Sequence, residues 1–259
     1  MSIRARPPVL VLALAIAGGA GAAPVGPVAA STAPTIAGAV TADAARAFRM
    51  DLAGSRDFVP QSNDVQCVGA SIQMMLNIVH PGGDASRRTQ RRLQDLARAW
   101  SGPRPPGFGR RQGASIRGWA ASLVIHRAGP YRIVGADSLD EAMRIAARAI
   151  REWERPVGLL VWRGRHAWVM SGFETSADPL RTGGFRVTKA YILDPLYPNV
   201  SEGWGPAPRP GVAVPVTTVG RQFVRRRSSG PWNALPFSVD LSGKYVLLVP
   251  TGHVRPGID

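Results

Sequence analysis

The apolar residues of this chain change period part-way along it, and that change limits what it can fold into. From residue 67 to about 152 they recur at helical spacing; from 155 to 250 they gather in short runs bounded by Gly, Pro and Asp. In "CVGASIQMMLNIV", Val68, Ile72, Met75, Leu76 and Val79 share one helical face, and His80-Pro81-Gly82-Gly83 ends the element. Residues 86–100 predict a second, Arg-rich helix with Leu93, Leu96, Ala97 and Trp100 inward, and residues 115–126 a third. Between these two, residues 101–115 read as a breaker-rich loop. Ser138 with Glu141 forms a capping box that opens a helix to about residue 152. Strands are expected over 155–164, 166–173, 185–195 and 244–250, with a short element near 216–225. Helices lead and strands follow. That order predicts an α+β domain, a helix packed on an antiparallel sheet.

The first residues carry a different signal. Arg4 and Arg6 precede an apolar run from Val9 to Ala17, and Ala20-Gly21-Ala22 supplies an A-x-A cleavage pattern. Residues 1–22 are therefore expected to be a signal peptide, or an uncleaved anchor, and the protein to be secreted or held at the cell envelope. Residues 23–45, rich in Ala, Pro, Gly, Thr and Val, read as a flexible spacer. Residues 46–259 remain as one domain, long enough to bury a core.

The formal net charge is +15, and lysine occurs only at 189 and 244. Arginine usage of this kind fits a codon bias; it also fits attraction to an anionic cell-wall polymer or lipid. No basic motif interleaved with aromatics points to nucleic acid. "RRTQRR" (87–92) reads as the solvated face of the second helix, and "VRRR" (224–227) as a patch or a charged loop. No cofactor or metal is called for, and a monomer is expected.

Cys67 is the single cysteine, which rules out an internal disulfide. A lone cysteine in an exported chain points to a reactive thiol, an intermolecular bond or a buried inert group. Its place in the first turn of a helix favours reactivity, because unpaired N–H groups there stabilise negative charge. The histidines are His80, His126, His166 and His253. His80 is 13 residues along the same helix, roughly 20 Å away at 1.5 Å per residue. His166 opens a strand after a Gly-Arg turn, and Asp194 ends the next one. In an antiparallel pair the start of one strand lies beside the end of its neighbour, so His166 and Asp194 are expected to meet. The carboxylate would orient and charge the imidazole. Gln61, six residues before the cysteine, offers an amide to an oxyanion, with the Cys67 N–H as second donor; Gln66 is the alternative amide.

Taken together, "QSNDVQCVGASIQMM" resembles the Gln-x5-Cys helix start of papain-like cysteine peptidases. "RPVGLLVWRGRHAWVMSGF" followed by "AYILDP" is similar to the His strand and Asp-Pro segment of their bacteriocin-processing, C-39-like branch. The resemblance spans roughly residues 57–200. It implies a papain-like fold whose Cys-bearing helix packs on a sheet carrying His and Asp. It also implies Cys67 as nucleophile, His166 as base, Asp194 as orienting acid, Gln61 as oxyanion donor, and a peptide or protein substrate. Gln66 and Val68 stand where that family often has bulkier neighbours or Gly, and no transporter regions follow. Two other functions stay open: transglutaminase-like acyl transfer to an amine, and a catalytically silent module that binds through its basic face.

Residues 1–45 have no periodic apolar residues to pack. Their deletion is expected to leave the thermal unfolding midpoint unchanged.

Overall fold

The computed structural model describes residues 46–102, 113–227 and 241–253. The expected signal peptide 1–22, the spacer 23–45 and most of the 101–115 loop lie outside the described residues. In chain order the elements are β1 (Phe48–Asp51), α1 (Cys67–Val79), α2 (Arg87–Ala99), α3 (Ile116–Ile125), β2 (Tyr131–Ala136), α4 (Leu139–Trp153), β3 (Val157–Val161), β4 (His166–Thr175) and β5 (Val187–Leu193). They continue with β6 (Val200–Ser201), β7 (Gly205–Pro206), β8 (Ala213–Pro215), α5 (Val216–Val219) and β9 (Tyr245–Pro250). The class is α+β. The main sheet runs β2-β9-β3-β4-β5-β8, with β1 also on β4, and its pairings are antiparallel. The short β6–β7 pair stands apart from it.

Alternation along the strands divides the core in two. Trp168, Met170, Ile192 and Leu247 face α4 residues such as Met143 and Ile150. Ala167, Val169, Leu193 and Leu248 face Val68, Ile72 and Met75 of α1, together with Trp119 and Leu123 of α3. The sheet is therefore covered on both faces, where one packed helix was expected. The strands most buried on both sides, β3 and β4, are accordingly near-continuous in apolar residues.

Among the described residues, five strands escape the sequence pattern: β1, β2 and the short β6, β7 and β8. β1 is short and alternates weakly. β2, "YRIVGA", pairs with β9 from Tyr131↔Pro250 to Ala136↔Tyr245 and comes before α4, so helices do not simply lead. Its partner lies more than a hundred residues away, a pairing that no local window contains. "VRRR" resolves as a tied loop: the Arg226 N–H donates to the Lys244 carbonyl at 2.8 Å, and the Arg225 guanidinium donates to the Asp137 carbonyl at 2.6 Å.

Three helices begin on serine caps. Ser86 Oγ accepts from the Arg88 and Thr89 N–H groups, Ser115 Oγ from Gly118, and Ser138 Oγ from Glu141 at 3.1 Å. The capping box is displaced by one residue, since Glu141 Oε2 accepts from the Asp137 N–H rather than from Ser138. Helices α2 and α3 approach so closely that a Cβ on Gly118 would lie 1.8 Å from the Ala97 carbonyl oxygen. Gly118→Ala must push the helices apart, and is expected to destabilise the protein by about 1–3 kcal/mol in chemical unfolding.

Candidate active site

Helix α1 starts at Cys67 without a side-chain cap: Gln66 at the N-cap position makes no capping bond, and the first turn holds no acid. The loop before it is instead clamped by two buried amides on α2. Gln90 accepts from the Ser62 N–H at 2.8 Å and donates to the Pro60 carbonyl at 2.9 Å. Gln94 accepts from the Gly69 N–H at 2.8 Å and donates to the Val65 carbonyl at 2.9 Å. Both amides are thus used at each end, and the turn that carries Cys67 is held rigidly. Space matters as well, because a Cβ on Gly69 would lie 2.8 Å from the Gln90 carbonyl oxygen. Gln94 takes the third N–H of α1. The Cys67 N–H, in the first turn, has no partner among the described residues. The thiol is half-buried.

One turn along α1, Ser71 Oγ donates to the Ala167 carbonyl at 3.3 Å, which fixes the helix against the first residues of β4. His166 opens that strand and is buried at 4 % exposure. Its Nε2 lies 2.7 Å from Asp194 Oδ1. Asp194 follows the last residue of β5, is fully buried, and also accepts the Leu196 N–H at 2.8 Å. With Nε2 engaged by Asp194, Nδ1 is the remaining ring nitrogen, and Cys67 is near enough to favour the charged imidazole. The His166–Asp194 pair thus lies where β4 starts and β5 ends, and Cys67, at the start of α1, is near enough to influence its charge. Burial works against the charged imidazole. The hydrogen bond to Asp194, and the attraction of Asp194 and Cys67, outweigh it and raise the His166 pKa from 6.5 to about 9.

Gln61 enters this neighbourhood through its main chain, its N–H donating to the Pro195 carbonyl at 2.8 Å, directly after Asp194. Its side-chain oxygen is buried without a hydrogen-bond partner among the described residues. Gln66, the alternative amide, is buried, and its Oε1 accepts from Ser62 Oγ at 2.6 Å. The other histidines lie elsewhere: His80 meets the His126 carbonyl at 3.2 Å, and His253 packs edge-on against Trp153.

One contributor was not anticipated from the sequence in this role. Trp162, expected as core or cleft wall, stacks on His166 with centroids 4.0 Å apart and planes 17° apart. The hairpin between β3 and β4 makes this possible through an unusual backbone. Trp162 and Arg163 have φ of 55° and 58°, and Gly164 has φ of 94°. Left-handed conformations in non-glycine residues cost on the order of 1 kcal/mol each. The indole offsets that cost by stacking and by donating to Gln222 Oε1 at 2.9 Å, while Gln222 donates to the Pro206 carbonyl at 3.0 Å. Trp204, on the β6–β7 turn, lies parallel to Trp162 at 6.2 Å. Trp168, by contrast, is core at 1 % exposure. The sequence hint was the Trp-Arg-Gly-Arg turn itself, too short to carry a tryptophan anywhere but over the strand it starts.

Among the described residues no group of His, Cys, Asp and Glu is arranged to hold a metal ion. Comparison with protein-family models and with curated proteins gives no match to this chain.

The raised His166 pKa links protonation to stability. The folded value lies above the unfolded one, so the stabilisation is complete below about pH 6.5 and is lost as pH rises through about 9. Thermal unfolding followed across that window is expected to show the wild-type midpoint falling more steeply than that of His166→Gln.

Proposed function

We propose that this protein is an exported cysteine hydrolase of papain-like, C-39-like type that cleaves peptide or isopeptide bonds. The observation that carries the reading is the buried His166 ring, 2.7 Å from Asp194 on one nitrogen, with the one cysteine of the chain near enough to favour its charged form. A structural histidine needs neither a thiol partner at a helix start nor a carboxylate behind it. Cysteine nucleophiles need both, because the thiolate is the attacking species and the imidazolium is the acid that follows.

In this mechanism the Cys67 thiolate attacks the substrate carbonyl carbon and a tetrahedral oxyanion forms. The Cys67 N–H, unpaired among the described residues, donates to that oxygen from the positive end of α1. Gln61 is the second donor; Gln66, whose Oε1 accepts from Ser62, is the alternative amide. As the carbon–nitrogen bond breaks, the proton on His166 Nδ1 passes to the leaving amine. Neutral His166 then takes a proton from water, hydroxide adds to the thioester, and the thiolate leaves with the acid product. Asp194 keeps the ring oriented through Nε2, and Trp162 covers one ring face, so the imidazole keeps its orientation without exposing its bond to Asp194.

Cys67→Ala is expected to abolish hydrolysis of any member of a panel of cell-wall peptides and casein that the wild type cleaves, with the fold intact by circular dichroism. Asp194→Asn is expected to retain more activity than His166→Ala, since the loss of an orienting group costs roughly 10²–10⁴ in rate. Iodoacetamide should alkylate Cys67 at acidic pH much faster than a free thiol, and His166→Ala should remove that advantage. An unreactive Cys67 together with no cleavage would leave a binding module as the better reading.

A further inference from the structure

The outer face of α2 is the most one-sided charged surface the structure presents. Its inner face is spent: Gln90 and Gln94 hold the α1 loop, and Leu93 and Ala97 lie in the core. Arg87, Arg88, Arg91 and Arg92 are exposed. None of them pairs with a carboxylate among the described residues; the ion pair on this helix, Arg98 with Asp95, lies at its other end. The arrangement is electrostatically unfavourable by itself. Arg87 and Arg91, and Arg88 and Arg92, are like charges at i,i+4, and all of them sit in the half of the helix where the dipole repels cations. The first turn contains no acid to relieve them.

A second feature lies at the same end. The end of α2 meets the start of α3, where the Ser115 N–H donates to Ser101 Oγ at 2.8 Å and Gly118 abuts Ala97; at their other ends both touch α1 or the residue that follows it, the Ser86 carbonyl accepting from Gln73 and the His126 carbonyl meeting His80. Ile125 is then about 10 Å beyond Gly118, and Arg91 about 9 Å before Ala97, at 1.5 Å per residue. The C-terminal turn of α3 and the arginine-bearing start of α2 thus both lie toward the C-terminal end of α1. There Val124 and Ile125 are 53 % and 47 % exposed, followed by exposed His126 and Arg127. Two adjacent aliphatic side chains with a row of unpaired guanidinium groups next to them match a surface of negative headgroups over an apolar layer. A soluble polyanion would use the arginines alone.

We propose that this end of the α2–α3 pair docks on an anionic phospholipid surface, with Arg88, Arg91 and Arg92 on the headgroups and Val124 and Ile125 entering between them. The inference stands apart from the catalytic reading, because no residue in it belongs to the Cys67 site. It predicts that the rigid clamp between α2 and α1 holds the Cys67 site at a fixed height above the bilayer.

The test is co-sedimentation of the full chain with vesicles of phosphatidylcholine doped with phosphatidylglycerol, at low and high salt. Binding should need the anionic lipid and weaken with salt. Arg88→Gln/Arg91→Gln/Arg92→Gln should weaken it about 100-fold, on the basis of about five-fold for each basic residue at an anionic leaflet. Val124→Ser/Ile125→Ser should weaken it at both salt concentrations. All the altered side chains are exposed, and an unchanged thermal midpoint verifies that each variant is folded. Undiminished binding of the triple variant overturns the proposal, as does equal binding to pure phosphatidylcholine, which the apolar run at residues 9–17 would produce. Binding of soluble polyphosphate as tight as that of vesicles, with the Val124/Ile125 variant unaffected, overturns it in favour of a soluble polyanion.

Discussion

Strand β4 must satisfy both faces of the sheet at once, and the rest of the molecule is arranged around that requirement. Ala167 and Val169 are sealed by α1, and Trp168 and Met170 by α4. Small residues on the α1 side let that helix lie close enough for Ser71 to bond the Ala167 carbonyl. Close approach at that point carries the start of α1 to the start of β4, and so carries Cys67 to His166. The starts of α1 and β4 come to one junction because a helix and a strand share one buried contact.

The polar groups at this junction are costly to bury; Asp194 Oδ1 is partnered twice, whereas Asp194 Oδ2 and Gln61 Oε1 have no partner among the described residues. Asp194 sits at zero exposure, which is tolerable because it accepts from an imidazole and from the Leu196 N–H. Gln90 and Gln94 have little reason to lie inside an arginine-rich helix except that the 60–69 segment needs their hydrogen bonds. The strained Trp162-Arg163 turn belongs to the same economy, since the indole it places over His166 recovers by stacking and hydrogen bonding what the backbone loses. Two amides at the helix start, a carboxylate on the ring and an indole over it leave this junction little freedom to rearrange.

The same helix α2 joins the two surfaces discussed here. Its glutamine face fixes the Cys67 turn and its arginine face looks outward. That arrangement gives a helix with a poor intrinsic charge pattern a reason to be stable: its inner hydrogen bonds and packing outweigh the repulsion on its outer face.

Local chemistry made much of this readable in advance. The helical period placed α1 through α4 within a residue or two, because amphipathic spacing and serine caps are short-range signals. Helix start, strand start and strand end put Cys67, His166 and Asp194 in the right kinds of position, since antiparallel pairing follows from a short connection. The sequence by itself thus determined helices α1 to α4, strands β3, β4, β5 and β9, the α+β class and the candidate residues. Tertiary structure alone decided the partners separated by long stretches of chain: β2 on β9, β1 on β4, a second covering helix on the sheet, the glutamines of α2 on the α1 loop, and Trp162 over His166. Each of these depends on which surfaces meet after collapse, and a pairing energy between distant segments leaves no period in the residues that will make it.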